Sequence, residues 1–222
     1  MSTVYVFGLV DAKAGAFTEA GHRIEFVPAG AVYAAVERLG ERPAVSEESL
    51  RAQHRIVERI AAKVDAVLPA RFGSLVDLDE LERVVALRRG GIRDALELVR
   101  GRTQMTVRLL DAVARAPVAP PPHRGAVTES GTAYLQARRQ AGVRVLPPAV
   151  AAVTGAVRDI VAAERAEAGE GRVAATLYHL VGHAGVEKYR KRLAALQAGL
   201  DQQTLSISGP WPPFAFVPEL WP

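Results

Sequence analysis

The sequence contains no cysteine. That absence excludes disulfides, thiolate metal ligands and a thiol nucleophile, and with them the small secreted class held together by disulfides. Asparagine is missing too, and lysine is scarce: of 28 basic residues four are Lys and 24 are Arg, set against 24 Asp plus Glu. Such a skew in an Ala-, Val- and Arg-rich chain fits genomic base composition better than a surface built for polyanions. Aromatic residues make up only 6% of the chain, too few for the row of exposed rings on which single-stranded nucleic acid stacks. No apolar run approaches the ~20 residues needed to span a bilayer. Met1-Ser2-Thr3 leads into apolar sequence without a basic flank or a small-residue cleavage site. The expectation is a cytoplasmic protein that does not enter a membrane.

What is present is ordinary for a folded chain. With 222 residues and 49% hydrophobic content, one large domain or two small ones is expected, and disorder is not. The formal charge of +4 is spread evenly: residues 1–116 hold 17 bases and 16 acids, residues 117–222 hold 11 and eight. Neither half is a basic domain, so a small basic α+β nucleic-acid-binding module stands only as the alternative reading.

Residues 3–10 (TVYVFGLV) are almost continuously apolar, as in a strand covered on both faces near the middle of a sheet. Residues 23–27 alternate, with Ile24 and Phe26 opposite Arg23 and Glu25, as in a half-buried strand. Ser46 offers an N-cap with Glu47 and Glu48 behind it, and Leu50, Val57, Ile60, Ala61 and Val64 follow on one helical stripe. Residues 67–73 (VLPARFG) read as a short strand that Pro69 confines to an edge. Asp77 with Glu80 resembles a capping box, and Leu81, Val84 and Val85 continue that helix. Ile92, Ala95, Leu96 and Val99 have helical spacing up to Gly101, and Met105, Val107 and Leu109 alternate as a strand. Residues 114–129 hold four prolines and a glycine and read as a linker. Beyond it a helix is expected over 131–139. Pro148 then suits the first turn of another, whose stripe runs Val150, Val153, Val157, Ile160, Val161. Residues 173–181 read as a strand, Val186, Tyr189, Leu193, Leu196 and Leu200 as a helical seam, and Leu205 and Ile207 as a last strand.

The expected fold class is α+β in two domains. Residues 1–113 form a ferredoxin-like domain, a β-sheet with helices on one face, its usual first helix missing or replaced by residues 29–39. Residues 114–129 are the Pro-rich linker, and 130–222 form a smaller α+β domain with long helices.

Catalytic motifs are not found. The chain has no phosphate-binding GxxxxGK[ST] loop, no GxGxxG after a strand and no GxSxG elbow. His179, His183 and Glu187 have i, i+4, i+8 spacing, but a strand, a Gly-flanked turn and a helix start divide them, so no metal site is expected. His54 reads as a packed boundary histidine, and the basic run Lys188, Arg190, Lys191, Arg192 as a solvated helix face. The expectation is a protein that is not an enzyme and carries neither cofactor nor metal. Two segments stand out: Leu68-Pro69-Ala70-Arg71-Phe72-Gly73 and Gly209-Pro210-Trp211-Pro212-Pro213-Phe214. In the second, three prolines stiffen an extended path that presents Trp211 and Phe214. Closure of a sheet edge and of the core is the competing account of both.

At these residues the chain resembles the GvpF/GvpL family of gas vesicle proteins. The likeness takes in the opening VYVFGLV, His54 in the helix before LPARFG, the 91–101 helix leading into TQMTVRLL, then SGTAYLQARR and LSISGPWPPFAFV. The segments LPxRFG and GPWPPF, about 135 residues apart in this order, are specific together. Residues 22–45 lack much of the family's second-strand region, and Pro147-Pro148 interrupts what is commonly a long helix. The resemblance implies a non-catalytic accessory or minor structural protein of gas vesicle assembly, in the cytoplasm and associated with the vesicle. It implies as partners the hydrophobic, GvpA-type shell protein and other gas vesicle proteins, and no nucleic acid or membrane. The two-domain fold with a ferredoxin-like first domain is also implied. Shell subunits expose apolar and strand surface before they polymerise, and the contact candidates for covering it are Arg71, Phe72, Trp211 and Phe214.

Overall fold

The computed structural model describes residues 3–111, 146–200 and 203–219. The linker expected at 114–129 and the helix expected at 131–139 lie outside these residues. The described chain is α+β, built on two antiparallel sheets.

The first sheet is assembled around β1 (Thr3–Val10). Its order is β2 (Phe17–Glu19), β3 (His22–Ala29), β4 (Val32–Glu37), β1 and β5 (Val67–Pro69), with β6 (Leu75–Asp77) also paired to β1. Every residue of β1 from Val4 to Val10 is buried, because both faces are covered. Tyr5, Phe7 and Val10 pack with Ile56, Val57 and Ile60 of α1 (Glu47–Ala61). Val4, Val6 and Leu9 pack on the other side with Leu81 and Val85 of α2 (Leu78–Leu87) and Ile92 and Leu96 of α3 (Arg89–Val99). The alternation slips by one residue where the pairing register shifts between Val6 and Gly8. A Cβ at Gly8 would stand 2.8 Å from the Leu68 carbonyl oxygen, so glycine is what lets β5 approach here. Each Ile, Leu or Val buried on these faces is worth about 1.5–3 kcal/mol relative to exposure.

Helices therefore lie on both faces of this sheet, which corrects the expectation of one. Residues 29–39 are not a helix but the end of β3, a two-residue turn and β4, whose VYAAVE sequence is β-branched and aromatic enough to pair on both sides. Ser46 caps α1 as expected, in a reciprocal box with Ser49. Asp77 precedes α2 but makes no side-chain cap. Its carboxylate accepts from the Thr3 hydroxyl at 3.2 Å, tying β6 to β1 instead.

The second sheet has the order β10 (Gln203–Trp211), β7 (Arg102–Asp111), β9 (Val173–Gly182), β8 (Val161–Ala168). On one face α4 (Pro148–Val157) and α5 (Val186–Gln197) bury Val153, Val157, Tyr189 and Leu193 against Val107, Leu109 and Leu177. These helices have 10 and 12 residues, so the long helices expected in this half are not seen among the described residues. The other face sends Leu180, with Tyr178 and Ala163 alongside, into the same core as Val4 and Leu96. β7 pairs with β9 and β10, so the strand assigned in sequence to a first domain ending at 113 is a central strand of the second sheet. The helical stripe expected through Val161 ends sooner. Residues 161–168 form β8, paired along its length with β9, and that pairing overrides the helix propensity of an Ala- and Glu-rich segment. After β10 a single turn, Phe214–Phe216, brings the chain back against the first sheet and buries Phe216 in the shared core. No described helix is long and apolar enough to cross a membrane.

Candidate partner-binding face

Pro69 ends β5 at the edge of the first sheet, as its missing N–H requires. The chain then leaves the sheet, and buried polar groups of β1 and α1 hold it. The Ala70 N–H bonds the Phe7 carbonyl at 2.8 Å. Gln53, buried on α1, donates to the Ala70 carbonyl at 3.1 Å. The Tyr5 hydroxyl donates to the Gln53 amide oxygen and accepts the Gly73 N–H at 2.9 Å. Burial pushes the Tyr5 hydroxyl above its ordinary pKa of 10.0, against the opposing pull of the Gly73 bond. Gly73 has φ +85°, a left-handed conformation that closes this turn and that a side chain would strain. Phe72 lies edge-on to Tyr5, with ring centroids 6.4 Å apart. Arg71 points outward, its side chain 77% exposed, with its guanidinium 3.6 Å from Glu219.

The Gly-Pro-Trp-Pro-Pro-Phe segment reaches the same region from the second sheet. Pairing of β10 with β7 breaks between Ser208 and Trp211. Gly209 sits there with φ +115°, and a Cβ on it would come within 2.7 Å of the Gln104 carbonyl oxygen. The Trp211 carbonyl accepts the Thr103 hydroxyl at 2.8 Å, and its indole N–H reaches Ser208 Oγ at 3.3 Å. Pro212 and Pro213 are buried. Buried Gln104 accepts the Ala215 N–H at 2.8 Å. The rings of Trp211 and Phe214 both meet the His54 imidazole of α1, at centroid distances of 5.2 and 6.0 Å, the Phe214 ring nearly parallel to it.

Three of the four candidates thus converge. Trp211 and Phe214 share His54, while Arg71 and Phe214 line one cleft of about 340 Å³ that also includes Gln104, Arg165 and Tyr178. Phe72 is one step removed: its ring meets Tyr5 and does not line this cleft. Phe214 is 40% exposed and Trp211 is half-buried. His54 is more than the packed boundary residue expected from its spacing, because the aromatics that meet its ring, Trp211 tilted and Phe214 stacked, lie more than 150 residues along the chain. Gln53 and Gln104, the two amides that anchor the segments, carry no signal in the sequence.

The remaining motifs are accounted for locally. His179 is fully buried on β9, His183 begins the turn after it, and Glu187 stands on α5. His179 bonds Glu164 through Nε2 at 2.8 Å and the Tyr189 hydroxyl through Nδ1 at 2.7 Å, and the Thr154 hydroxyl donates to the same Glu164 oxygen at 2.7 Å. Burial lowers the His179 pKa below 6.5, opposed by the Glu164 bond and charge, and burial raises that of Tyr189. In the basic run, Lys188 and Arg192 both reach Asp159, at 3.2 and 3.0 Å. The two bonds hold the Asp159 carboxyl down to about 2. Arg190 pairs with Glu187 at 3.3 Å and donates to the Gly209 carbonyl at 2.6 Å, so these three cations are engaged within the chain.

The fold is similar to the crystal structure of the gas vesicle protein GvpF from Anabaena sp. PCC7120, with a TM-score of 0.73 at 11% identity over 98% of this chain and 99% of that one. It is equally similar to that of GvpF from Microcystis aeruginosa, with a TM-score of 0.72 at 10% identity over 97% and 99%. No curated protein matches the sequence. The family model for "Gas vesicle synthesis protein GvpL/GvpF" matches residues 3–218, and the chain therefore belongs to that family.

Proposed function

We propose that this protein is a non-catalytic accessory factor of gas vesicle assembly that binds the hydrophobic GvpA-type shell protein and other gas vesicle proteins. Arg71, Phe72, Trp211 and Phe214 form its contact face. Family membership supports the gas vesicle role. The observation that carries the finer reading is the exposed Phe214 ring, stacked on His54 beside half-buried Trp211 and backed by two buried prolines. An aromatic anchor immobilised before binding loses little conformational entropy on contact, and such anchors carry most of the energy of protein interfaces. Arg71 on the rim adds a planar cation that tolerates desolvation better than an ammonium. The protein acts in the cytoplasm at the growing vesicle.

The chain is read as two α+β units, one on each sheet. Strand order β3-β4-β1-β5, all antiparallel with α1 between β4 and β5, supports a ferredoxin-like first unit that lacks its first helix.

The test is co-expression with the shell protein. Soluble shell protein should co-purify with the wild-type chain and fall about tenfold or more with Phe214→Ala or Arg71→Glu, while thermal unfolding of those variants stays near wild type. No association under any condition, or capture unchanged in both variants, would refute the proposal.

A further inference from the structure

Three of the four sheet edges are blunted. In the first sheet β2, β5 and β6 each have three residues, and β5 ends in Pro69. In the second, β10 is covered by side chains of α5. Gln197 donates to the Gln203 carbonyl and accepts the Leu205 N–H, and Arg190 donates to the Gly209 carbonyl. Among the described residues the fourth edge, β8, has neither a proline nor a covering helix, and its one irregularity is the register shift between Val161 and Ala163 at its start. It has eight residues, Val161-Ala162-Ala163-Glu164-Arg165-Ala166-Glu167-Ala168, without proline, glycine or lysine. Among the described residues only β9 pairs with it. Natural proteins protect edges of this length, because the free N–H and C=O row is a template for another strand.

We propose that β8 is a self-association edge, pairing antiparallel with β8 of a second copy about a two-fold axis at Ala166. The charge pattern selects both occupant and register. A two-fold axis normal to the sheet places residue i opposite a residue of the same parity, on the same face. Centred on Glu164, Arg165 or Glu167, that pairing sets like charges directly against each other. Centred on Ala166, it sets Arg165 opposite Glu167 of the second copy twice, with two alanines between them.

Both side chains are already held on the face toward the first sheet. Arg165 lies over the Phe216 ring at 5.9 Å, and Glu167 accepts the Tyr178 hydroxyl at 3.1 Å. Opposed residues across such a pair have Cβ atoms about 4.5–5.5 Å apart, within reach of an Arg–Glu pair. The two four-stranded sheets would become one continuous sheet, with the clefts that hold Arg71 and Phe214 brought alongside each other. Alanine leaves room for close approach, and the short paired stretch makes the dimer a concentration-dependent one.

Sedimentation equilibrium of the full chain alone, from micromolar to about millimolar, reads this directly. The wild type should show a monomer–dimer equilibrium. Arg165→Glu or Glu167→Arg should each weaken it about tenfold, by turning two attractions into repulsions. The double variant Arg165→Glu/Glu167→Arg should recover it, as should an equimolar mixture of the two single variants, while circular dichroism confirms that all fold. Amide exchange in residues 162–168 should slow as concentration rises. A monomer throughout the range, or a dimer indifferent to the charge reversals, would overturn the proposal. No shell protein is present, so the outcome is independent of the contact face proposed above.

Discussion

Tyr5→Phe isolates the polar clamp beneath the Leu68–Gly73 segment. The substitution keeps the ring, its contact with Phe7 at 5.0 Å and its contact with Phe72 at 6.4 Å, and removes one oxygen. That oxygen is 2.9 Å from the Gly73 N–H and donates to Gln53. Tyr5, Gln53 and Gly73 are all buried, so water cannot replace what is lost. One backbone donor loses its acceptor and one amide oxygen loses its donor. Each orphaned buried group costs about 1–3 kcal/mol, so the pair costs about 2–6 kcal/mol, although the Gln53 amide nitrogen keeps its bond to Ala70 at 3.1 Å. Against a total stability of about 5–15 kcal/mol that is a large loss. Urea unfolding at equilibrium should show the midpoint fall with an unchanged slope. Shell-protein capture should weaken as well, because Arg71 and Phe72 ride on this turn. A change below about 0.5 kcal/mol would mean that the hydroxyl bonds contribute no more than their solvated counterparts, and the clamp argument would fail.

Other outcomes follow from the same geometry. Phe214→Ala should cost less than about 1 kcal/mol of stability, since the ring is 40% exposed, yet sharply reduce shell capture; a collapsed fold would make the residue core. Gly209→Ala should destabilise by about 1–3 kcal/mol, because its φ of +115° is strained for alanine and the new Cβ meets the Gln104 carbonyl; an unchanged melting temperature would contradict this. His179 has a lowered pKa in the folded protein, so the folded state binds fewer protons than the unfolded one. Its contribution is complete above pH 6.5 and is lost as pH falls through the lower folded value. Urea midpoints should therefore drop on acidification below pH 6.5, less steeply in His179→Gln; equal pH slopes in both would refute it. Asp159, held down to about 2 by Arg192 and Lys188, works at lower pH: its stabilisation is present above 3.8 and disappears toward pH 2, and Asp159→Asn should remove that limb.

Features that depend on a short stretch of chain are legible in the residues themselves. The apolar run of β1 requires cover on both faces, and its neighbours supply it. Ser46 caps α1 because an N-cap needs only the next three residues. Pro69 lies at an edge because it lacks a donor. The two Pro-containing segments stand out by composition, and three of their four marked residues meet at one place. The missing cysteine closes thiol chemistry from the start.

Other features depend on partners far away in sequence, and only the tertiary structure decided them. Residues 161–168 have the composition of a helix and become β8 because β9 offers a full register of backbone bonds. β7 follows α3 directly, yet it belongs to the second sheet, because β9 and β10 lie on either side of it. His54 joins Trp211 and Phe214 through a contact that no spacing encodes. The physical reason is common to all three. Local propensities are worth tenths of a kcal/mol per residue, whereas strand pairing and burial gather many contacts at once, and those depend on what the rest of the chain brings alongside.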